Sequence, residues 1–513
     1  MRDKWWPLLA ICLGTFMLLV DVTIVSVALP SMAVELHASF SSLQWVIDAY
    51  AVALAALLLV AGSIADRFGR RKLYAIGLGL FAVSSLCCGL APNVGLLITA
   101  RIVQGIGGAA MFSTNTALLS VTYTGRDRGV AFGVWGAVNG AAAAIAPIFG
   151  GLLTQTLGWR SIFLVNLPIA AIALLLTWKV LAESRGAKVR IDWPGAFLIT
   201  AFAGLLTFGL IHGGDAGWTS MSSLTVLGAS VLALVTFVLV ERHSDAPLLD
   251  LALLRRRSFA TLMLAALVLT ASAFAPAVYL SLWLQSVLGE DAMLAGLVLA
   301  PLAIVSFVVS ISVGRYMHRI GYRWPLGMGL VLIGIGGIMR MFITADSGAG
   351  ALFAGLIVTG VGVGLASPVL VSAALGAVPS AKAGMAGGAV NTFRQLGYAL
   401  GIAVLGSVLT SRMTGVLAGN PLTPNPAATA GAISEGKALQ LVGTAQPSLR
   451  GQLDHLLHGA FANGLDHIQL IAGVIGVLGG VLVLVVVNND GEREQVAAAP
   501  AGRTDEDPVP AGR

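Results

Sequence analysis

The chain has 513 residues, of which 57% are hydrophobic and only 11% charged, with a mean hydropathy of +0.89 and a net charge of +6. Soluble domains carry roughly 25% charged residues, so this composition sets the chain apart from soluble enzymes and binding modules and predicts an all-α polytopic membrane protein. The cations are scattered through short connections with no basic stripe interleaved with aromatics, which argues against a nucleic-acid partner; Cys12, Cys87 and Cys88 fall in apolar runs, which argues against a disulfide framework or a metal site.

Apolar segments of about 20 residues, the length that crosses a ~30 Å hydrocarbon core as helix, recur from end to end. Fourteen are predicted, at 7–31, 43–65, 72–91, 94–120, 129–155, 160–181, 193–212, 223–241, 258–287, 293–317, 325–344, 350–378, 385–411 and 467–487. The first follows Arg2 and Lys4 and exceeds the roughly 7–15 residues of a signal-peptide core, so it reads as a retained helix. Every second connection is basic (Arg67 to Lys72, Arg126 and Arg128, Lys179 to Arg190, Arg242 to Arg257, Arg315 to Arg323, then Lys382). The alternate ones carry acids such as Glu35, Asp215, Glu290 and Asp346. That alternation places both termini in the cytoplasm and requires an even number of spans. Residues 412–466 read as a long outer loop rich in Pro, Gly and Ala, and 488–513 as a polar, disordered tail. The excess of Arg over Lys, with abundant Ala, Gly and Val, suggests a GC-rich bacterial source.

The turn between the second and third segments is the densest signal: G-S-I-A-D-R-F-G-R-R-K, from Gly62 to Lys72. Arg67, Arg70, Arg71 and Lys72 must lie in water, Gly62 and Gly69 allow close backbone approach, and Asp66 sets one negative charge among the cations. A degenerate second copy follows, with Gly314, Arg319, Gly321 and Arg323 in register with Gly62, Arg67, Gly69 and Arg71. Leu356 to Gly362 likewise aligns with Arg101 to Gly107. The chain therefore divides into an N-terminal six-helix unit (1–190), two inserted helices with a basic loop (191–257), a C-terminal six-helix unit (258–487) and the tail (488–513). Paired repeats of this kind build alternating access around a midplane site in many secondary transporters.

Ionisable side chains within apolar spans cost about 2.5–3.5 kcal/mol each on insertion scales and mark function by default. Asp21 interrupts an apolar run, either as an exchangeable proton site or as a structural hydrogen-bonding group. Asp48, with Trp45 and Tyr50 beside it, suits a lipophilic cation through charge and cation–π attraction; the alternative is an interfacial position. Arg101 needs a carboxylate or a polar cavity opposite it, as a proton relay or as a structural ion pair. Arg394, with Asn391 and Gln395, is placed facing the cavity, and Arg340 reads as an interfacial anchor. In the fifth segment Gly136, Gly140, Gly150 and Gly151 with Pro147 allow close packing and a bend. No G-x-x-x-x-G-K-[ST] motif is present, so no ATP-driven module is expected; the Gly360 to Gly364 run lies inside a helix, and the histidines show no ligand spacing.

These features together resemble the major facilitator superfamily, in its fourteen-helix drug:proton antiporter branch. The Gly62–Lys72 turn is similar to the superfamily's loop between helices 2 and 3, the Asp21 to Pro30 run to the branch's first-helix signature, and Arg101 to Gly108 to the fourth-helix motif tied to proton coupling. Trp159 to Pro168 and Tyr279 to Gly289 also resemble that branch. The resemblance implies a major facilitator fold of two six-helix bundles plus two inserted helices. It makes Asp66 and Arg70 a cytoplasmic charge lock, Arg101 a support for proton transfer and Asp21 a membrane-embedded acid. Two departures stand out: Ala146 replaces the glycine that precedes the fifth-helix proline, and His318 occupies the place of Asp66 in the second copy.

The expectation is a non-enzymatic, proton-driven exporter of a lipophilic drug or antibiotic, with Asp21, Asp48 and Arg101 in proton coupling, monomeric, without cofactor or metal, in a bacterial inner membrane. Trp45, Asp48, Tyr50, Phe112, Asn139, Tyr279, Trp283, Asn391 and Arg394 are candidate cargo contacts. Export of a lipid, siderophore or other metabolite, uptake by symport on the same fold, and a non-transporting scaffold or receptor are the alternatives.

Overall fold

A computed structural model of the chain describes residues 3–36, 40–186, 192–244, 251–290, 292–379, 383–434 and 437–487. Among these residues the fold is all-helical, with no strand. The N-terminal group comprises α1 (Trp6–Glu35), α2 (Phe40–Phe68), α3 (Arg70–Gly89), α4 (Val94–Thr122), α5 (Gly125–Leu157), α6 (Ser161–Leu164) and α7 (Asn166–Val180). A peripheral pair, α8 (Trp193–Ala216) and α9 (Met221–His243), packs through α8 on α2, and a short α10 (Leu251–Arg255) follows. The C-terminal group contains α11 (Arg257–Ala273), α12 (Ala275–Leu282) with a π-helical turn at Trp283–Val287, α13 (Ala292–Ile320), α14 (Arg323–Met339), α15 (Phe353–Gly376), α16 (Ala383–Leu417), α17 (Pro426–Ser434), α18 (Ala438–Thr444) and α19 (Arg450–Val486).

Helix starts follow local chemistry. The Asn93 side chain accepts the Leu96 N–H (2.9 Å) and begins α4, while the Asp192 carboxylate accepts the Gly195 N–H (2.9 Å) ahead of α8, which has Pro194 in its first turn. Pro7 plays the same role in α1. At the far end of α1 the Glu35 carboxylate bonds Arg160 and accepts from the Trp159 indole N–H (2.6 Å), fastening α1 to the turn before α6.

Among the described residues, ten helices are long and apolar enough to cross a membrane, or eleven when Trp45–Leu58 and Val60–Phe68, bent by 53°, count as one span. Three further apolar helices, Trp6–Val22, Ile148–Leu157 and Arg323–Met339, are shorter. The segment expected as a long loop at 412–466 is largely helical instead: α16 runs on to Leu417, α17 and α18 follow, and α19 begins at Arg450. Seven of the nine alanines in this stretch lie inside helices, and Leu453, Leu457 and Phe461 form the buried face that carries α19 out to Arg450. The tail 488–513 lies outside the described residues.

The aligned sequence repeat reappears as matched packing. A Cβ on Gly107 of α4 would lie 2.9 Å from both the Gly77 carbonyl and the Phe81 nitrogen of α3; one on Gly362 of α15 would lie 2.7 Å from the Ile333 nitrogen of α14. Both crossings therefore exclude any side chain. Gly69 and Gly321, aligned in the two copies, both take positive φ (120° and 70°).

Among the described residues the apolar core runs between the two groups at the basic end, where Leu58, Tyr74, Phe132 and Trp135 share a cluster with Leu262, Leu330, Leu370 and Met385. Towards the other end it separates into one cluster within residues 20–163 and another within 275–472. The groups also meet along α5 and α13, where a Cβ on Gly140 would lie 3.2 Å from the Ala303 carbonyl.

At Gly69 a Cβ would sit 2.7 Å from the Glu183 carboxylate, in backbone that L residues avoid. Gly69→Ala is expected to cost about 1–3 kcal/mol, read as a lowered thermal unfolding midpoint of the purified protein.

Candidate functional site

Asp21, fifteen residues beyond the start of α1, and Arg101, seven residues into α4, meet in the interior of the N-terminal group, and each is 0% exposed. Arg101 Nη1 bonds the Asp21 carboxylate and also donates to Gln104 Oε1 (2.8 Å), and Nε donates to the Val46 carbonyl (3.0 Å). The other Asp21 oxygen accepts from Gln104 Nε2 (3.0 Å) and Asn166 Nδ2 (3.1 Å). Asn166 in turn donates to Ser85 Oγ (3.0 Å), whose hydroxyl donates to the Phe163 carbonyl (2.9 Å). The guanidinium lies 4.2 Å from the Tyr50 ring centroid and 5.8 Å from that of Phe163. Five helices, α1, α2, α3, α4 and α7, thus converge on one neutralised charge pair.

The sequence singled out the acid and the base of this network. Gln104, Asn166 and Ser85 were missed as partners, although Gln104 is one helical turn from Arg101 and Asn166 lies in the Trp159 to Pro168 stretch. Polar residues inside apolar helices were the available signal, and only folding shows which of them share a face.

A second node lies at the basic end. Asp66 Oδ1 accepts from Arg70 Nε (2.9 Å) and Nη2 (2.7 Å), while its Oδ2 accepts the Met385 N–H (3.2 Å) in the first turn of α16. The carboxylate therefore ties α2 and α3 to the C-terminal group. Glu183, just past α7, was not anticipated: it accepts the Arg71 and Lys72 N–H groups (3.1 and 3.2 Å) and so places an anion at the start of α3. Arg71 also donates to the Leu181 carbonyl (3.1 Å) and lies over Trp178 (5.1 Å). Gly62 is buried, and Arg67 is exposed against Phe68.

The fifth-segment glycines face two neighbours. A Cβ at Gly136 would lie 3.4 Å from Ser310 Oγ and 3.5 Å from Pro368, one at Gly140 would lie 3.2 Å from the Ala303 carbonyl, and one at Gly150 would meet Ile24 of α1. The first two bring α5 against α13 and α15, across the boundary between the groups. Gly151 is half-buried, and the Pro147 side chain lies outside the described residues.

The candidate cargo residues do not form one lining. Trp45 stacks on Phe208 of α8 (5.3 Å), and Trp283 is buried in the core of the C-terminal group. Tyr279 donates to the Ile402 carbonyl (2.5 Å). Tyr50 lies beneath Arg101, and Asn139 is half-buried with its amide donating to the Trp135 carbonyl of its own helix (2.7 Å). Asn391 donates to the carbonyl of Phe112 (3.2 Å) across the boundary between the groups, and Arg394 is half-buried one turn further along α16. The Asp48 side chain, and those of 314–320 in the second copy of the basic turn, lie outside the described residues. Arg340 departs from the interfacial anchor expected: it is 1% exposed and donates to Thr359 Oγ1 (3.0 Å) and Gln469 Oε1 (3.1 and 3.3 Å). The end of α14 turns it inward, where α15 and α19 supply acceptors.

An all-helical chain whose apolar helices enclose an ion pair, and whose two helix groups are joined at one end by a carboxylate between basic side chains, has the architecture of a polytopic membrane transporter. The chain belongs to the Major Facilitator Superfamily, which it matches over residues 11–402. It is 36% identical over 418 residues to the multidrug resistance protein Stp of Mycobacterium tuberculosis, covering 81% of this chain and 78% of Stp. It is 32% identical over 497 residues to the tetracenomycin C resistance and export protein of Streptomyces glaucescens, covering 94% and 92%. Among solved structures, the human organic anion transporter MFSD10 superposes with a TM-score of 0.59 at 14% identity, covering 94% of this chain and 99% of that one.

Removing one member of a buried pair leaves an uncompensated charge. Arg101→Ala is expected to destabilise the protein by about 3–5 kcal/mol in denaturant titration, and the double change Asp21→Asn with Arg101→Gln to recover much of that loss.

Proposed function

We propose that this protein is a proton-coupled secondary transporter that exports lipophilic drugs or an antibiotic across the bacterial cytoplasmic membrane by alternating access. The buried Asp21–Arg101 pair carries this reading, because a structural role alone is served as well by apolar packing of the same volume. The relatives named for multidrug resistance and for tetracenomycin C export favour drug efflux over uptake.

In this reading the ten long apolar helices, the bent pair and the three shorter ones make up fourteen spans, arranged as two six-helix bundles, 1–190 and 258–487, with α8 and α9 inserted between them. Both termini and the basic end lie in the cytoplasm, the protein works as a monomer and no cofactor takes part. The shared core and the Asp66–Arg70–Met385 node then hold the cytoplasmic side shut.

A proton reaching Asp21 cancels its charge and frees Arg101 from the ion pair, leaving the guanidinium on Gln104 and the Val46 carbonyl. Because Val46 and Asp66 belong to α2, a change at the pair is transmitted along that helix to the closed end. Return of the proton to the cytoplasm resets the pair. A potential of 100 mV supplies about 2.3 kcal/mol per charge moved, enough to drive efflux without ATP.

Energised everted vesicles from a pump-deficient host are expected to accumulate drug, to lose it under a protonophore, and to fall to background with Asp21→Asn at matched protein level. Proteoliposomes that move a solute with no cargo-dependent pH change would falsify the coupling. Thr116 and Gly387 touch across the closed end. In a chain lacking Cys12, Cys87 and Cys88, the pair Thr116→Cys and Gly387→Cys is expected to cross-link under oxidation and stop transport, with recovery on reduction.

A further inference from the structure

Five buried polar atoms without a hydrogen-bond partner among the described residues gather on two helices that touch: Asn115 Oδ1 and Thr116 Oγ1 on α4, and Asn391 Oδ1, Thr392 Oγ1 and Arg394 Nη1 within one turn of α16. Contact between these stretches is direct, through the Asn391 amide on the Phe112 carbonyl (3.2 Å) and the approach of Gly387 to Thr116. Buried polar atoms are nearly always satisfied, so such a concentration where the two helix groups meet marks a place that a polar ligand completes.

The charge at this place is positive and, among the described residues, uncompensated. Arg70, Arg101 and Arg160 each face a carboxylate, whereas none among the described residues lies within ion-pair distance of Arg394. Arg340 also lacks an acid, but its guanidinium is bonded to Thr359 and Gln469 inside the C-terminal group. Arg394 differs: it is half-buried, one side-chain nitrogen is enclosed without an acceptor, and it lies about 17 Å along α16 from Ala383, well away from either end. Thr270 of α11 donates to its backbone carbonyl (2.6 Å), so the turn that presents it is held in place.

We propose that the cargo is a lipophilic organic acid whose carboxylate docks on Arg394, with the amide oxygens of Asn391 and Asn115 accepting from hydroxyl groups on the same molecule. This rests on the reading of the protein as an exporter and reverses the cation preference suggested by Asp48 in the sequence. A guanidinium forms two parallel charge-assisted bonds to a carboxylate, which an ester cannot reproduce. The enclosed nitrogen then has its acceptor and the buried charge its counter-ion. Exporting such an anion is also assisted by an inside-negative potential, in the same direction as proton entry.

The test is equilibrium binding to the purified full-length protein in detergent, using fluorescent 9-anthracenecarboxylate and its uncharged methyl ester. The acid is expected to bind about tenfold or more tightly than the ester. Arg394→Gln should erase that difference while leaving ester affinity unchanged, and Arg394→Lys should keep part of it. Equal or weaker binding of the acid, binding of neither compound, or a preference that survives Arg394→Gln overturns the proposal. The acid-to-ester ratio of the unsubstituted protein decides by itself should Arg394→Gln fail to fold. Binding in detergent needs no proton gradient, so this outcome is independent of the vesicle experiments on coupling.

Discussion

A carboxylate and a guanidinium enclosed by apolar helices tolerate almost no freedom in what surrounds them. Each ion costs several kcal/mol to remove from water, and their attraction repays that only when the remaining lone pairs and protons are also bonded. Asp21 and Arg101 meet this demand by recruiting Gln104, Asn166 and the Val46 carbonyl. The register of α1, α2, α4 and α7 is set by those bonds. A slip of one residue along any of these helices turns a side chain by roughly 100° and strands a charge.

The glycine crossings serve the same end by a different route. Without a hydrophobic driving force between helices in lipid, close packing depends on small residues. Gly77 with Gly107, and Gly329 with Gly362, let paired backbones approach within a distance that excludes a side chain. Rigid pairs of this sort hold polar side chains in place within each group. Between the groups, apolar core and the Asp66 node join the basic end, and α5 packs on α13 through Gly136 and Gly140.

Charge placement divides the molecule in a related way. The N-terminal group carries a balanced buried pair, while the C-terminal group carries Arg340 on neutral acceptors and Arg394 beside unsatisfied polar atoms. The two halves of the repeat thus differ in their buried charge, with an ion pair in one half and, among the described residues, arginines without an acid in the other. His318 in place of Asp66 continues the pattern, since only the first copy of the basic turn carries the acid.

Much of this protein is legible without coordinates because the membrane enforces it. Apolar runs, alternating basic connections and the doubled turn disclose a polytopic helical chain with an internal repeat, and the cost of charge in lipid singles out Asp21 and Arg101 one at a time. Pairing is another matter. Asp21 and Arg101 are 80 residues apart, and Asp66 and Met385 are 319 apart, so no local pattern announces either contact. The helical content of 412–466, the inward turn of Arg340 and the capping of α3 by Glu183 were hidden for the same reason: composition reports what a segment can tolerate, whereas partners are assigned only when distant helices bring their polar faces together.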